Sequence, residues 1–278
     1  MATRLGILLL FVVGASAATP FQLLEAKVRD GGKVRALTAA ELATHQLVPT
    51  QTYLDALWYA SNQEFARKQA AVKKPRVVVF GGRGVFPPSM KAAVRRLQEA
   101  RIPCRVVFAD TFTWPRGAVV VIPGGWAPSI IADLGSENLS LLSDPKQRVL
   151  GICAGAYLLS SRVVWEGRSY GYPVGRMDAV ATGPLNDIAV WPKGAAVTLD
   201  KGEQVVYAGG SAFETKDGKV LRRYPDGRAA IVAGKNCVLT AVHCEMHAER
   251  DQDLLRDAAW PAAGDGKLFV ELVKSLLR

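Results

Sequence analysis

The chemistry in this sequence centres on a cysteine set between two glycines. Val149-Leu150-Gly151-Ile152-Cys153-Ala154-Gly155-Ala156-Tyr157 has the form glycine–x–nucleophile–x–glycine, with an apolar run before it and a helix-forming run after it. Flanking glycines admit a sharp strand-to-helix turn. A cysteine at the start of a helix meets the positive end of the helix dipole and its free backbone N–H groups, which favour the nucleophilic thiolate. The plain structural reading is a buried inert thiol, since free Cys is among the most buried residue types.

Two further signals supply what a thiol nucleophile needs. His243-Cys244-Glu245 follows the apolar run 238–242. In an extended segment residues i and i+2 share a side, so Glu245 can orient the His243 imidazole while His243 takes the thiol proton. Gly124-Gly125 follows the run 118–122 and Pro123. Its amides, with the N–H of Ala154, make a candidate oxyanion hole. Trp126 and Tyr157 adjoin these residues in sequence and are the candidate substrate-binding side chains. Each signal also has a bland counterpart: a surface His and Glu at a strand end, a Gly-Gly turn, aromatics in the core.

These residues must be carried by something, and the text around them alternates. Strands are expected at 77–80, 106–108, 118–122 and 149–152, and helices at 88–100, within 130–142 and at 154–161. Such alternation predicts a three-layer α/β/α sandwich, flavodoxin-like, with a mostly parallel sheet. Beyond residue 165 shorter runs predict strands at 195–199, 204–208, 220–224, 229–233 and 238–242, extending the sheet with antiparallel pieces. A last amphipathic helix is expected at 268–277. The Gly124-Gly125 pair falls at the carboxyl end of a predicted strand, the edge at which open α/β sheets bind ligands.

The order strand–Gly-Gly, strand–G-I-C-A-G, strand–H-x-E resembles that of the class I glutamine amidotransferases. A narrower resemblance rests on residues 151–157, Gly183-Pro184, Tyr207-Ala208-Gly209-Gly210-Ser211-Ala212-Phe213, Arg223-Tyr224-Pro225 and 239–245. These are similar to the N-terminal amidotransferase-like domain of eukaryotic biotin–protein ligases, which also occurs alone in bacterial proteins. The resemblance spans roughly residues 75–278. It implies Cys153 as nucleophile, His243 as base, Glu245 as orienting carboxylate and Gly124 and Gly125 at the oxyanion. Cys244 departs from the pattern, because amidotransferases usually place Pro there. No synthetase or biotin-ligating sequence accompanies the motifs, so biotin ligation is not expected.

Residues 1–17 read as a signal peptide: Arg4, an apolar run over 5–13, then Ala15-Ser16-Ala17. The expected location is therefore exported, periplasmic or secreted. Residues 18–74 are expected to form a helical arm, with a Thr38-x-x-Glu41 capping box and a second helix opening at Pro49. The net charge of +10, from 35 basic and 25 acidic residues, is spread along the chain without aromatic interleaving, so no nucleic-acid partner is expected. No stable membrane insertion is expected either, because the N-terminal run is too short to span. Four scattered cysteines, Cys104, Cys153, Cys237 and Cys244, do not make a disulfide scaffold.

The leading expectation is an exported cysteine hydrolase that opens an amide-type C–N bond in a small molecule or peptide-type substrate, with no cofactor and no metal. The alternative is a catalytically silent domain of the same fold that binds a small ligand or a partner protein. His243, Glu245 and His247, with Cys237 and Cys244 nearby, match no common zinc spacing. Gly81-Gly82-Arg83-Gly84 lacks the pattern of a phosphate-binding loop and reads as a strand-end turn.

Overall fold

Short runs of Val, Ile and Leu, bounded by glycine and proline, build the centre of the molecule. The computed structural model describes residues 27–30, 33–36, 51–111, 117–172, 174–255 and 260–278. The signal-peptide reading and the capping box at Thr38 lie outside the described residues.

The strands are β1 Lys27–Asp30, β2 Lys33–Ala36, β3 Val77–Phe80, β4 Cys104–Val107, β5 Val119–Ile122, β6 Arg148–Ile152, β7 Ser160–Trp165, β8 Arg168–Gly171, β9 Met177–Gly183, β10 Ala195–Thr198, β11 Gln204–Tyr207, β12 Ala212–Thr215, β13 Lys219–Arg223, β14 Ala229–Gly234 and β15 Cys237–Thr240. The helices are α1 Gln51–Arg67, α2 Pro87–Glu99, α3 Ala127–Ser143, α4 Ala154–Leu159, α5 Gln252–Leu255 and α6 Lys267–Leu277.

Eleven strands form one sheet in the order β4-β3-β5-β6-β15-β14-β12-β9-β7-β8, with β13 paired to β14. From β4 to β15 every pairing is parallel. β3, β5 and β15 are buried at every position, as expected of strands covered on both faces. Counting only these five, the spatial order is the flavodoxin-like 2-1-3-4-5, whose switch point lies between the first and third strands. β14, β12 and β9 continue antiparallel, and β7 and β8 close the far edge. The mostly parallel sheet with flanking helices is the fold read from the sequence.

Four local expectations need correction. β10 and β11, expected to extend the sheet, pair with each other in a separate two-stranded sheet. The helix expected over 154–161 ends at Leu159, and β7 begins at Ser160. β7, β8, β9 and β12 were not anticipated. Buried positions of β9 are filled by Met177, Ala179, Ala181 and Gly183, mostly too small to mark a strand by hydropathy. The stretch read as a helical arm contains a hairpin, β1–β2, ahead of α1.

α1 docks on α2 and on the loop that follows β3. Its Asn62 is fully buried and donates to the carbonyls of Gly81 (3.2 Å) and Val85 (3.0 Å). Trp58 packs edge-on against Phe86 at 5.3 Å. No helix among the described residues is long and apolar enough to cross a membrane.

Candidate active site

Cys153 occupies the turn between β6 and α4 with its own backbone at φ 49°, ψ −105°. A residue with a Cβ is held there at a cost on the order of 1–3 kcal/mol, which the surroundings must offset. The flanking glycines serve by size and not by torsion. A Cβ on Gly151 would lie 2.5 Å from the Gly155 carbonyl oxygen, and one on Gly155 2.1 Å from that of Ile122. The cysteine takes the unusual conformation, and the glycines let the strand and helix close around it. Cys153 N–H donates to Thr240 O at 2.8 Å, and Sγ–H donates to Ala208 O at 3.5 Å.

His243 lies three residues beyond β15, not in a continued strand. Its N–H donates to Val206 O at 2.8 Å, and it forms an isolated bridge with Val206. The ring donates from Nδ1 to Glu245 Oε1 at 2.8 Å, and both side chains are buried. The far edge of the imidazole faces Cys153. A methyl group at Gly124 would stand 2.5 Å from His243 Cε1, 3.3 Å from His243 Nε2 and 3.4 Å from Cys153 Cβ. Thiol and imidazole thus meet over one glycine.

Burial opposes the His243 cation. The opposite charge of Glu245 and contacts with Cys153 and Glu245 outweigh it, raising the imidazole pKa from 6.5 to about 10. His243 Nε2 and Glu245 Oε2 have no hydrogen-bond partner among the described residues. Trp260 covers the ring, with centroids 4.9 Å apart.

Of the three amides offered by the sequence for an oxyanion, that of Gly124 is already engaged: it donates to Ser89 Oγ at 2.9 Å. The Val85–Gly125 bridge is made through its neighbours, Phe86 N–H to Gly124 O (2.9 Å) and Trp126 N–H to Gly84 O (2.8 Å). Gly125's own N–H therefore lies outside that ladder. Ala154 opens α4, a position whose N–H has no partner within the helix.

The segment 207–211 roofs the cysteine and is held by three buried phenols. Tyr157 Oη donates to Gly209 O (3.2 Å), Tyr207 Oη to Gly210 O (3.0 Å) and Tyr224 Oη to Ser211 O (2.9 Å). Burial raises the pKa of all three, so they remain donors. Tyr157, expected to touch substrate, is 4% exposed and faces this roof. Trp126 is half-buried. Trp165 links the two, 6.0 Å from Trp126 and 5.6 Å from Tyr157, and lies 6.1 Å from Trp191.

Sequence reasoning missed Ser89, Trp165, Trp191 and Trp260. Ser89 is 156 residues from Glu245, and nothing local marks it. The tryptophans were visible as residue types, but their strand and loops were not.

Among the described residues no three His, Cys, Asp or Glu side chains group as metal ligands. His247 turns elsewhere: its N–H donates to Asp251 Oδ2 at 2.9 Å. Asp251, fully buried, meets Arg95 at 3.1 Å and buried Arg96 at 3.6 Å, which pins the segment after Glu245 to α2. The turn at Gly81–Gly84 is likewise engaged internally, with Arg83 N–H donating to Asp133 Oδ2 at 2.9 Å. All four cysteines are buried and free.

Comparison with solved structures finds similar chains. A glutamine amidotransferase superposes with a TM-score of 0.50 at 17% identity, covering 71% of this chain and 98% of its own. A glutamine amidotransferase from Thermotoga maritima gives 0.43 at 15% identity, covering 73% and 94%. α-L-Fucosidase isoenzyme 2 from Paenibacillus thiaminolyticus gives 0.47 at 14%, covering 89% of this chain and 38% of its own. The first superposition establishes the fold as glutamine amidotransferase-like. No protein-family model matches the sequence, and no curated protein matches it.

Proposed function

We propose that this chain is a cysteine hydrolase of the amidotransferase type, opening an amide-type C–N bond through Cys153, His243 and Glu245. The observation that carries the proposal is the convergence of the strained Cys153 turn with an imidazole whose other nitrogen is bonded to a buried carboxylate. Sγ attacks the carbonyl carbon, and the thiol proton passes to His243 Nε2. The N–H groups of Gly125 and Ala154 receive the oxyanion. His243 returns the proton to the leaving amine as the C–N bond breaks, giving a thioester. Water, deprotonated by His243, attacks the thioester, and acid and thiol are released. Glu245 holds the imidazole in the required tautomer and stabilises its cation.

The proposal has finer parts. Within the fold, the motifs at 151–157, 207–213 and 239–245 favour the type found at the N-terminus of biotin–protein ligases. Residues 1–17 direct export, and the enzyme works in the periplasm or as a secreted protein on a small-molecule or peptide-type amide. Residues 75–278 form the catalytic domain, with 18–74 as its arm.

One observation favours the silent, ligand-binding reading. Cys153 is 6% exposed, and its thiol is directed at Ala208 O. Alkylation by iodoacetamide, followed for each cysteine by peptide mass spectrometry, separates the two. Burial raises the pKa of Cys104 to about 11 and of Cys237 to about 12, and that of Cys244 further still, so these thiols are expected to label slowly. A hydrolase shows fast labelling of Cys153 at neutral pH that His243→Ala abolishes. Labelling of Cys153 that ignores His243 hands the site to the binding reading.

A further inference from the structure

Glu245 presents an uneven carboxylate. Oε1 takes two hydrogen bonds, from His243 Nδ1 at 2.8 Å and from Ser89 Oγ at 2.7 Å, while Oε2 takes none. Ser89 lies in the first turn of α2 and is fully buried. Its hydroxyl donates its one proton to Glu245, and its oxygen accepts the Gly124 N–H at 2.9 Å. A single hydroxyl therefore joins the carboxylate that orients the base to the strand end that carries Gly125.

We infer that Ser89 is a positioning residue, which fixes Glu245 Oε1 against His243 and sets the Gly124–Gly125 turn over Cys153. The inference deepens the hydrolase reading and rests on it. A free glutamate carboxylate rotates about its terminal torsion, and either oxygen can meet the imidazole. With Ser89 bonded to Oε1 the carboxylate is held at two points, and His243 finds its partner at one place. The same bond orients the Gly124 peptide, so the next amide follows. Preorganisation of this kind is what an oxyanion site needs. α2 is itself anchored at its other end through Arg95 and Arg96 to Asp251, six residues beyond Glu245. The helix thus grips the His243–Asp251 segment on both sides of its turn.

The test uses the full chain as Ser89→Ala and Ser89→Cys. The second keeps the volume with a weaker donor and decides the matter if the first does not fold. Two quantities are read: the pH dependence of Cys153 alkylation, and the midpoint of His243 followed by NMR of its imidazole. The expected result is a fall of the His243 midpoint toward 6.5 in both variants, with neutral-pH alkylation of Cys153 slowed about tenfold, the rate equivalent of about 1.4 kcal/mol. A purely structural serine would lower the melting temperature and leave the midpoint in place. A folded variant with the wild-type midpoint and profile overturns the inference. The two failures are distinguishable: loss of any His243 dependence in the wild-type protein defeats the hydrolase reading, whereas an unmoved midpoint in the Ser89 variants defeats only this one.

Discussion

The two halves of the sheet are built by different rules and contribute different things. From β4 to β15 the strands are parallel and mostly buried, and β3 and β5 are written as unbroken apolar runs. Their carboxyl ends carry Cys153, Gly124 and Gly125, and His243 and Glu245 follow just beyond. From β14 to β8 the pairing is mostly antiparallel, and β8 is exposed at all four positions. The tyrosine-held roof over the cysteine joins the separate β10–β11 pair to β12 of this half. The candidate nucleophile and its partners thus stand at the ends of the parallel half, and the segment that covers them leads into the antiparallel half.

The sharpest test of that division is Cys153→Ser. It is expected to remove turnover by about 10³-fold or more while leaving the fold intact, as assayed on a peptide-type amide and by circular dichroism. Gly155→Ala against Gly171→Ala compares the halves by size alone. The first places a Cβ 2.1 Å from Ile122 O, whereas at the second nothing lies within 4 Å. Gly155→Ala should cost about 3 kcal/mol or more in denaturant unfolding, and Gly171→Ala should stay within about 0.5 kcal/mol. Equal costs would break the comparison.

A pH series sharpens it further. The His243 pKa is raised in the folded state, so its stabilisation is fully present below 6.5 and is lost as pH rises through about 10. Between about 8.5, the ordinary thiol pKa above which an unfolded Cys153 is itself deprotonated, and about 10, wild-type stability should fall with rising pH, and His243→Gln should flatten the slope. The smallest effect belongs to the roof. Tyr224→Phe removes the hydrogen bond to Ser211 O and should cost about 1 kcal/mol. Cys153 alkylation in that variant should change severalfold at most.

The same contrast explains what was legible in the sequence. Val77–Phe80 and Val119–Ile122 announce themselves because strands covered on both faces are apolar throughout, and Cys237–Thr240 departs from this only at its last residue. Glycines needed for close approach around Cys153 were equally plain. β9 and β12 carry small or alternating residues, and their place depends on partners far along the chain, so local pattern did not reveal them. The i, i+2 argument paired His243 with Glu245 correctly in space, although the backbone there is a turn and not a strand. Ser89 could not be read at all, because its meaning lies in two bonds to residues 35 and 156 positions away.

Asn62 has a consequence for how the molecule comes apart. Its buried amide serves the carbonyls of Gly81 and Val85, at the mouth of the first parallel strand and one bridge from Gly125. Peeling α1 away would strip both carbonyls of that donor and expose Phe86. Helix α1 and the edge that carries the candidate site therefore belong to one cooperative unit. Amide hydrogen exchange should show the helix at 51–67 and the turn at 81–86 opening together, with a shared free energy, before the strands beneath them yield.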